Sequence, residues 1–496
     1  MSILKDLAPP MGQVRERRGA PVLFLVGLFL IGLAAAMTVP MIADIAAGHV
    51  SWVSFAVSAA ITGLVGGGLS LSSLSTSLRL DLRQAFLLTA SAWFAMAVFA
   101  SLPFHWDVHR LSFVDAFFEA MSGLTTTGST VITGLDTAPP GLLLWRSMLE
   151  WIGGIGIIVM AIAILPLLKV GGMQLFRTES SDRSEKVVPS VASLALSIGL
   201  VYLGLTCLCA ALLSFAGMTV FEAVNHAMTT VSTGGFSTSD SSMGAFSVEA
   251  QWIVTFFMIA GALPFVRYVA AVRGRPRGLI SDPQVRVFLV TLIAVWLLIA
   301  LWLVVSRDLA WTTALRLVAF NVTSVVTTTG FATDDYQTWG ATAVGLFFLF
   351  TVLGGCSGST SGGIKTFRFM LLIKTLHSQL LRLSHPNQVA LVRYGGRRVN
   401  PETVLSLLSF VFVFVASWSL VGLALTMTGL DMLTAFSGAA TALANVGPGL
   451  GSIIGPAGNF ASLPDASKVI LAVAMLLGRL EFFTVLVLFL PRFWRW

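Results

Sequence analysis

The chain has 496 residues, 56% of them hydrophobic and only 11% charged, with a net charge of +7. A typical soluble domain carries roughly 25% charged residues, so this composition excludes a string of soluble domains and describes an all-α polytopic membrane protein. The three cysteines form no disulfide framework and the six histidines show no zinc spacing, so no prosthetic group is expected.

In chain order, a polar and basic N-terminus precedes an apolar run that is too long for a signal-peptide core and lacks a cleavage site, so it reads as a retained helix. Ten spanning helices are predicted, at about 21–46, 51–75, 84–104, 143–168, 188–217, 248–272, 284–306, 338–382 (interrupted), 401–428 and 466–490. Four further apolar stretches, near 112–125, 219–231, 312–326 and 431–443, are too short. A helix of ~15 residues reaches ~22 Å, against a hydrocarbon core of ~30 Å. These read as re-entrant half-helices.

With the N-terminus placed inside, the predicted cytoplasmic segments hold 24 of the 30 Lys and Arg, including Arg15, Arg17, Arg18, Arg273, Arg275, Arg277, Arg393, Arg397 and Arg398. The outer segments hold Arg110, Arg146, Arg307, Arg316 and Lys468, and Arg479 lies inside a span. This asymmetry puts both termini in the cytoplasm of a multi-pass cell-membrane protein. It also accounts for the positive charge without any nucleic-acid partner.

Each half-helix is followed by a polar glycine segment: "TTTGST" from Thr125, "STGGFST" from Ser232, "TTTGFAT" from Thr327 and "NVGPG" from Asn445. The matched glycines, Gly128, Gly235, Gly330 and Gly447, stand 107, 95 and 117 residues apart. Internal repetition of this kind implies four like units, placed around a pseudo-fourfold axis. The expected organisation is an N-terminal helix pair over 1–80, then repeats over 81–182, 183–278, 279–398 and 399–496.

Irregular backbone at membrane depth is tolerated only within protein or beside water. Segments meeting at an axis meet that condition, and carbonyls flanking the glycines can replace the water around a dehydrated cation. The candidate potassium-binding residues are Thr126, Thr127, Gly128, Thr233, Gly234, Gly235, Thr328, Thr329, Gly330, Asn445, Val446 and Gly447. A lone Thr-Thr-Thr-Gly is more often a turn; four of them, each between a short helix and a span, reverse that reading. Asp334 and Asp335 are either solvated loop charges or carboxylates that gather cations at the outer mouth.

The eighth span breaks at Gly354, Gly355, Cys356, Ser357, Gly358, Ser359, Thr360, Ser361, Gly362 and Gly363. So many Gly and Ser residues weaken a helix, and an unwound middle needs a polar cavity beside it. Lys365 either belongs to this element or snorkels to the cytoplasm. Arg479, deep in the last span, needs a partner or a cavity. Glu481 is two residues away and off the same helical face, so it pairs with another helix if it pairs at all.

At these segments, with "GGCSGSTSGGIKTFR" from Gly354 and "GRLEFFTVLVLFLPRFW" from Gly478, the chain resembles the Trk/Ktr/HKT superfamily, and within it the bacterial TrkH/TrkG potassium-uptake proteins. The resemblance implies four M1–P–M2 potassium-channel-like repeats, a filter glycine at each matched position, and a homodimer with one pore per subunit. It further implies a cytosolic nucleotide-binding ring of TrkA type and location in the bacterial inner membrane. It makes the Gly354–Gly363 segment and Lys365 a gate under the filter, and Arg479 a positive barrier in the pore.

Two rival functions fit parts of the sequence. A carrier with alternating access, coupled to protons or sodium, would also use broken helices, though usually with inverted repeats. An intramembrane serine protease of rhomboid type would use "GCSG" around Ser357 with His226 as its base.

Overall fold

Without water to satisfy the backbone, an apolar run must close its hydrogen bonds within a helix, and helices dominate here. The computed structural model describes residues 19–74, 80–107, 110–163, 191–388 and 391–495. The N-terminal stretch with Arg15, Arg17 and Arg18 lies outside the described residues.

Among the described residues, seven helices are long and apolar enough to cross a bilayer, or nine if two bent pairs each count as one span. The N-terminal pair, Ala20–Ala46 and Trp52–Ser72, packs through small residues. A Cβ on Gly27 would lie 2.6 Å from the Gly66 carbonyl, and one on Gly66 2.8 Å from that of Gly27. Such close backbone approach is how helices associate where lipid offers no hydrophobic contrast. The other long apolar helices are Leu82–Trp106, Pro140–Ala163, Val191–Phe215, Pro283–Arg307 and Pro401–Met427. Pro401–Met427 has 17% of its apolar window buried and lies at the periphery, whereas 61% is buried for Pro140–Met160, which lies inward.

The spans expected to run straight at 248–272 and 466–490 are instead sharply bent. Val248–Gly261 and Phe265–Val272 meet at 94°, and Asp465–Arg479 and Phe482–Phe489 at 109°. At the first bend Pro264 precedes the second piece; it has no N–H to donate, and its ring collides with the carbonyl one turn back. At the second, Glu481 takes φ +60°, which no right-handed helix accommodates. The break expected within 338–382 is present, between Ala341–Phe350 and Thr366–Ser384.

The four short helices are Phe113–Leu124, Val220–Val231, Trp311–Val326 and Met432–Ala444. Side-chain caps start three of them: Ser112 accepts from Asp115 N, Thr219 and Glu222 form a capping box, and Asp431 accepts from Thr434 N. Their C-terminal halves are buried, so their carbonyl ends point into the protein.

Candidate functional site

Each short helix ends in a loop of the same backbone shape. The loop amides fold back on the last helical turn, as in Thr127 N to Ser122 O at 2.8 Å and Thr329 N to Ser324 O at 2.8 Å. Val446 N to Thr441 O, at 3.0 Å, does the same in the fourth loop. Positive φ then recurs at alternate residues: Thr126 and Gly128, Thr233 and Gly235, Thr328 and Gly330, Asn445 and Gly447. A β-branched residue at positive φ is an outlier, costing of order 1–3 kcal/mol, and three threonines carry that strain at the same point. Asn445 makes the same turn with the side chain that tolerates it best. That is why the fourth loop differs in sequence and yet keeps the shape.

The glycines close a ring. A Cβ on Gly128 would lie 2.0 Å from Gly234 O, on Gly235 1.9 Å from Thr329 O, on Gly330 2.1 Å from Val446 O, and on Gly447 2.9 Å from Thr127 O. Each glycine thus abuts the carbonyl that precedes the glycine of the next loop, and the fourth returns to the first. Ser129 Oγ donates to Gly447 O at 2.8 Å across the closing seam. No side chain fits at any of the four positions.

On one side of the ring lies a cavity of about 470 Å³, lined by Gly128, Gly235 and Gly330 and by the segments that follow the loops. Asp240 is its carboxylate. Asp334 and Asp335 are not among the lining residues: Asp334 accepts from Trp339 Nε1 at 2.7 Å, and Asp335 caps the short turn at Tyr336–Trp339 through Gln337 N at 3.1 Å.

On the other side, Gly354–Gly363 crosses beneath the loops. Leu353–Gly354 pairs in parallel with Ile364–Lys365 and clamps its base. From it, Thr360 Oγ1 donates to Val231 O at 3.1 Å, Ser361 Oγ to Thr327 O at 2.7 Å, and Gly363 N to Ala444 O at 2.8 Å. These acceptors are the carbonyl ends of the second, third and fourth short helices. Gly362 N also donates to Thr328 Oγ1 at 2.6 Å, and Cys356 N to Ala262 O at 2.9 Å. Gly358 O accepts from Phe265 N at 2.9 Å, Ser359 Oγ donates to Cys356 O at 2.6 Å, and Ser357 N meets Gln284 Oε1 at 3.0 Å. Gly355 O receives Thr366 N at 3.1 Å.

Lys365 Nζ donates back to Ser361 O, so its head stays with the loop instead of snorkelling away. Arg479 is 3% exposed, at the bend of its helix, and donates from Nη1 to Thr360 O at 2.9 Å. Among the described residues, Arg479 Nε and Nη2 have no hydrogen-bond partner. Glu481 pairs with Arg368 of the broken helix at 2.6 Å, and that guanidinium lies 3.7 Å from the Phe410 ring centroid. A cavity of about 40 Å³ remains between Gly358, Ser361, Lys365, Asn445, Arg479 and Glu481. His226 has both ring nitrogens engaged, with Glu222 O at 2.9 Å and Ser237 Oγ at 3.0 Å. It forms no base for Ser357, and the protease reading lacks its pair.

The TrkH family, described as a cation transport protein, matches residues 53–495. The chain belongs to that family. It is therefore a multi-pass membrane transport protein and not an enzyme. It is 46% identical to the Trk system potassium uptake protein TrkI of Halomonas elongata over 97% of this chain and 98% of that protein. Identity to TrkH of Salmonella typhimurium is 41%, over 83% and 86%. The crystal structure of the potassium transporter TrkH from Vibrio parahaemolyticus superposes with a TM-score of 0.89 at 34% identity, covering 96% of this chain and 99% of that one.

In this TrkH-family chain, sequence reasoning missed three buried ionisable residues behind the ring. Glu119 and Arg146 pair at 2.8 Å with both side chains buried. Glu150 accepts from Phe236 N at 3.1 Å and fills the space that a Cβ on Gly234 would need. The signal was present, since an ionisable residue within an apolar helix marks a functional position by default.

Proposed function

We propose that this chain takes up potassium across the bacterial inner membrane, both termini cytoplasmic, through four M1–P–M2 potassium-channel-like repeats around a pseudo-fourfold pore. The repeats would span 81–182, 183–278, 279–398 and 399–496, after an N-terminal helix pair in 1–80. The observation that carries this reading is the cyclic closure of the four glycine loops. Alternating signs of φ turn successive carbonyls the same way, so four such loops can offer stacked rings of oxygen to a bare cation. The carbonyl ends of four helices beneath add negative potential, which favours a cation and disfavours an anion.

In this reading Thr126–Gly128, Thr233–Gly235, Thr328–Gly330 and Asn445–Gly447 form the selectivity filter. Gly354–Gly363 with Lys365 forms the gate, Arg479 is the pore barrier, and Asp240 takes the outer-mouth role first considered for Asp334 and Asp335. The gate reading is supported by the loop's bonds to three helix ends on the axis side. Potassium is substrate, and the reading requires no prosthetic group. A homodimer and a cytosolic nucleotide-binding ring of TrkA type complete the proposal.

Gly330→Ser tests the filter. Its φ of +87° and the Val446 carbonyl leave no room for a side chain. A left-handed non-glycine residue costs roughly 1–2 kcal/mol, so the loop shifts to accept a side chain and the carbonyl spacing that distinguishes potassium from sodium shifts with it. In a potassium-uptake-deficient strain, the variant is expected to grow poorly at low potassium and to become sensitive to competing sodium. Growth and selectivity equal to the parent would overturn the filter assignment.

A further inference from the structure

We propose that Arg146, held by Glu119, is a positioning residue that sets the spacing between the first and second filter loops and so contributes to ion selectivity; the proposal rests on the filter reading above. The Arg146 side chain is 1% exposed, and its guanidinium reaches three oxygens from behind the ring. Nε donates to Glu119 Oε1 at 2.8 Å, Nη1 to Ser237 O at 2.8 Å, and Nη2 to Thr130 Oγ1 at 3.2 Å. Thr130 and Ser237 each stand two residues beyond a ring glycine, Gly128 and Gly235. One rigid fork therefore grips the exits of two adjacent loops. Its flat face lies 4.1 Å from the centroid of the Phe236 ring, directly after Gly235.

Glu119 holds the fork in turn. It accepts from Val131 N at 2.9 Å and from Thr130 Oγ1 at 2.9 Å, so the carboxylate is bonded on both oxygens. A planar guanidinium meets such acceptors at fixed angles, which an ammonium cannot reproduce. Buried charge paired in this way fixes geometry more than it adds stability.

The other units show that this clasp is a feature of one side of the ring. The same helical register holds His226, Asn321 and Gly438. His226 meets Ser237 Oγ at 3.0 Å, and Asn321 accepts from Thr333 N at 3.2 Å; each braces only its own loop. Gly438 has no side chain to contribute. At this register loops one and two are thus joined by charge, loop three is braced by a neutral amide, and loop four receives no side chain.

The test is the potassium/sodium permeability ratio, read from reversal potentials of the full-length protein in liposomes, for Arg146→Lys, Thr130→Val and Gly330→Ser. Arg146→Lys keeps the charge and loses the fork; the ratio should fall about tenfold, equivalent to about 1.4 kcal/mol. Thr130→Val removes one acceptor at constant shape, and the ratio should fall about threefold. It decides the matter alone if Arg146→Lys does not fold. A merely structural clasp would lower the melting temperature and total flux while leaving the ratio unchanged, and that result overturns the proposal. If Gly330→Ser shifts the ratio and the clasp variants do not, the clasp fails and the filter stands. If none shifts it, the filter reading itself fails.

Discussion

Asp240 and Asp335 are both acidic loop residues near the ring, yet they have different surroundings. Asp240 lines the large cavity and accepts from Gly134 N and Leu135 N at its edge, whereas Asp335 is spent on capping Gln337. Asp240→Asn is therefore expected to weaken uptake at low potassium about twofold, an effect that high ionic strength removes. Asp335→Asn should change it less. Initial uptake rates across potassium concentrations at two ionic strengths decide this, and an equal effect of both would remove Asp240 from the mouth. At this scale the sequence was legible where the backbone demanded a residue type: Gly128, Gly235, Gly330 and Gly447 stand where a side chain would strike a carbonyl. It was less legible where a side chain's role depends on what folds against it. Nothing in "TTTGFATDD" reveals that Asp334 will meet Trp339 or that Asp335 will cap a turn.

Among the elements, the short helices were readable because length against bilayer thickness is a one-dimensional test. Bends were not, because hydropathy is blind to direction: 248–272 is predominantly apolar and still turns by 94° at Pro264. The proline was a usable signal; the turn at Glu481 had none. The Gly354–Gly363 segment was visible as a break because glycine and serine are dense there, although its bonds to Val231, Thr327 and Ala444 could not be read from the chain. If it closes the pore, shortening it within 358–361 removes the contact with Val231 and should raise potassium flux in liposomes while leaving potassium preference intact. Lower flux in a folded protein would mean the segment forms the path and does not obstruct it.

Across the whole molecule, the ring must close where the fourth glycine loop meets the first. Besides Ser129 and Gly447, Phe460 N donates to Thr130 O at 2.9 Å, and Lys468 pairs with Asp115 at 2.5 Å. The Lys468 side chain is 4% exposed and that of Asp115 22%, so the pair falls between an exposed bridge, worth up to about 1 kcal/mol, and a buried one, whose breakage costs about 3–5 kcal/mol. Lys468→Met should lower the melting temperature in detergent accordingly; an unchanged melt would mean the seam is held elsewhere. The loop at Gly354–Gly363 carries a different consequence. Four identical subunits around an axis would each bring such a segment, and four cannot occupy one point. In the proposed reading, writing four units into a single polypeptide breaks that equivalence and lets one of them supply the stopper. If the segment closes the pore, a substitution there is present once per conduit, not four times, so graded changes in closure are open to it that a symmetric tetramer could not make one step at a time.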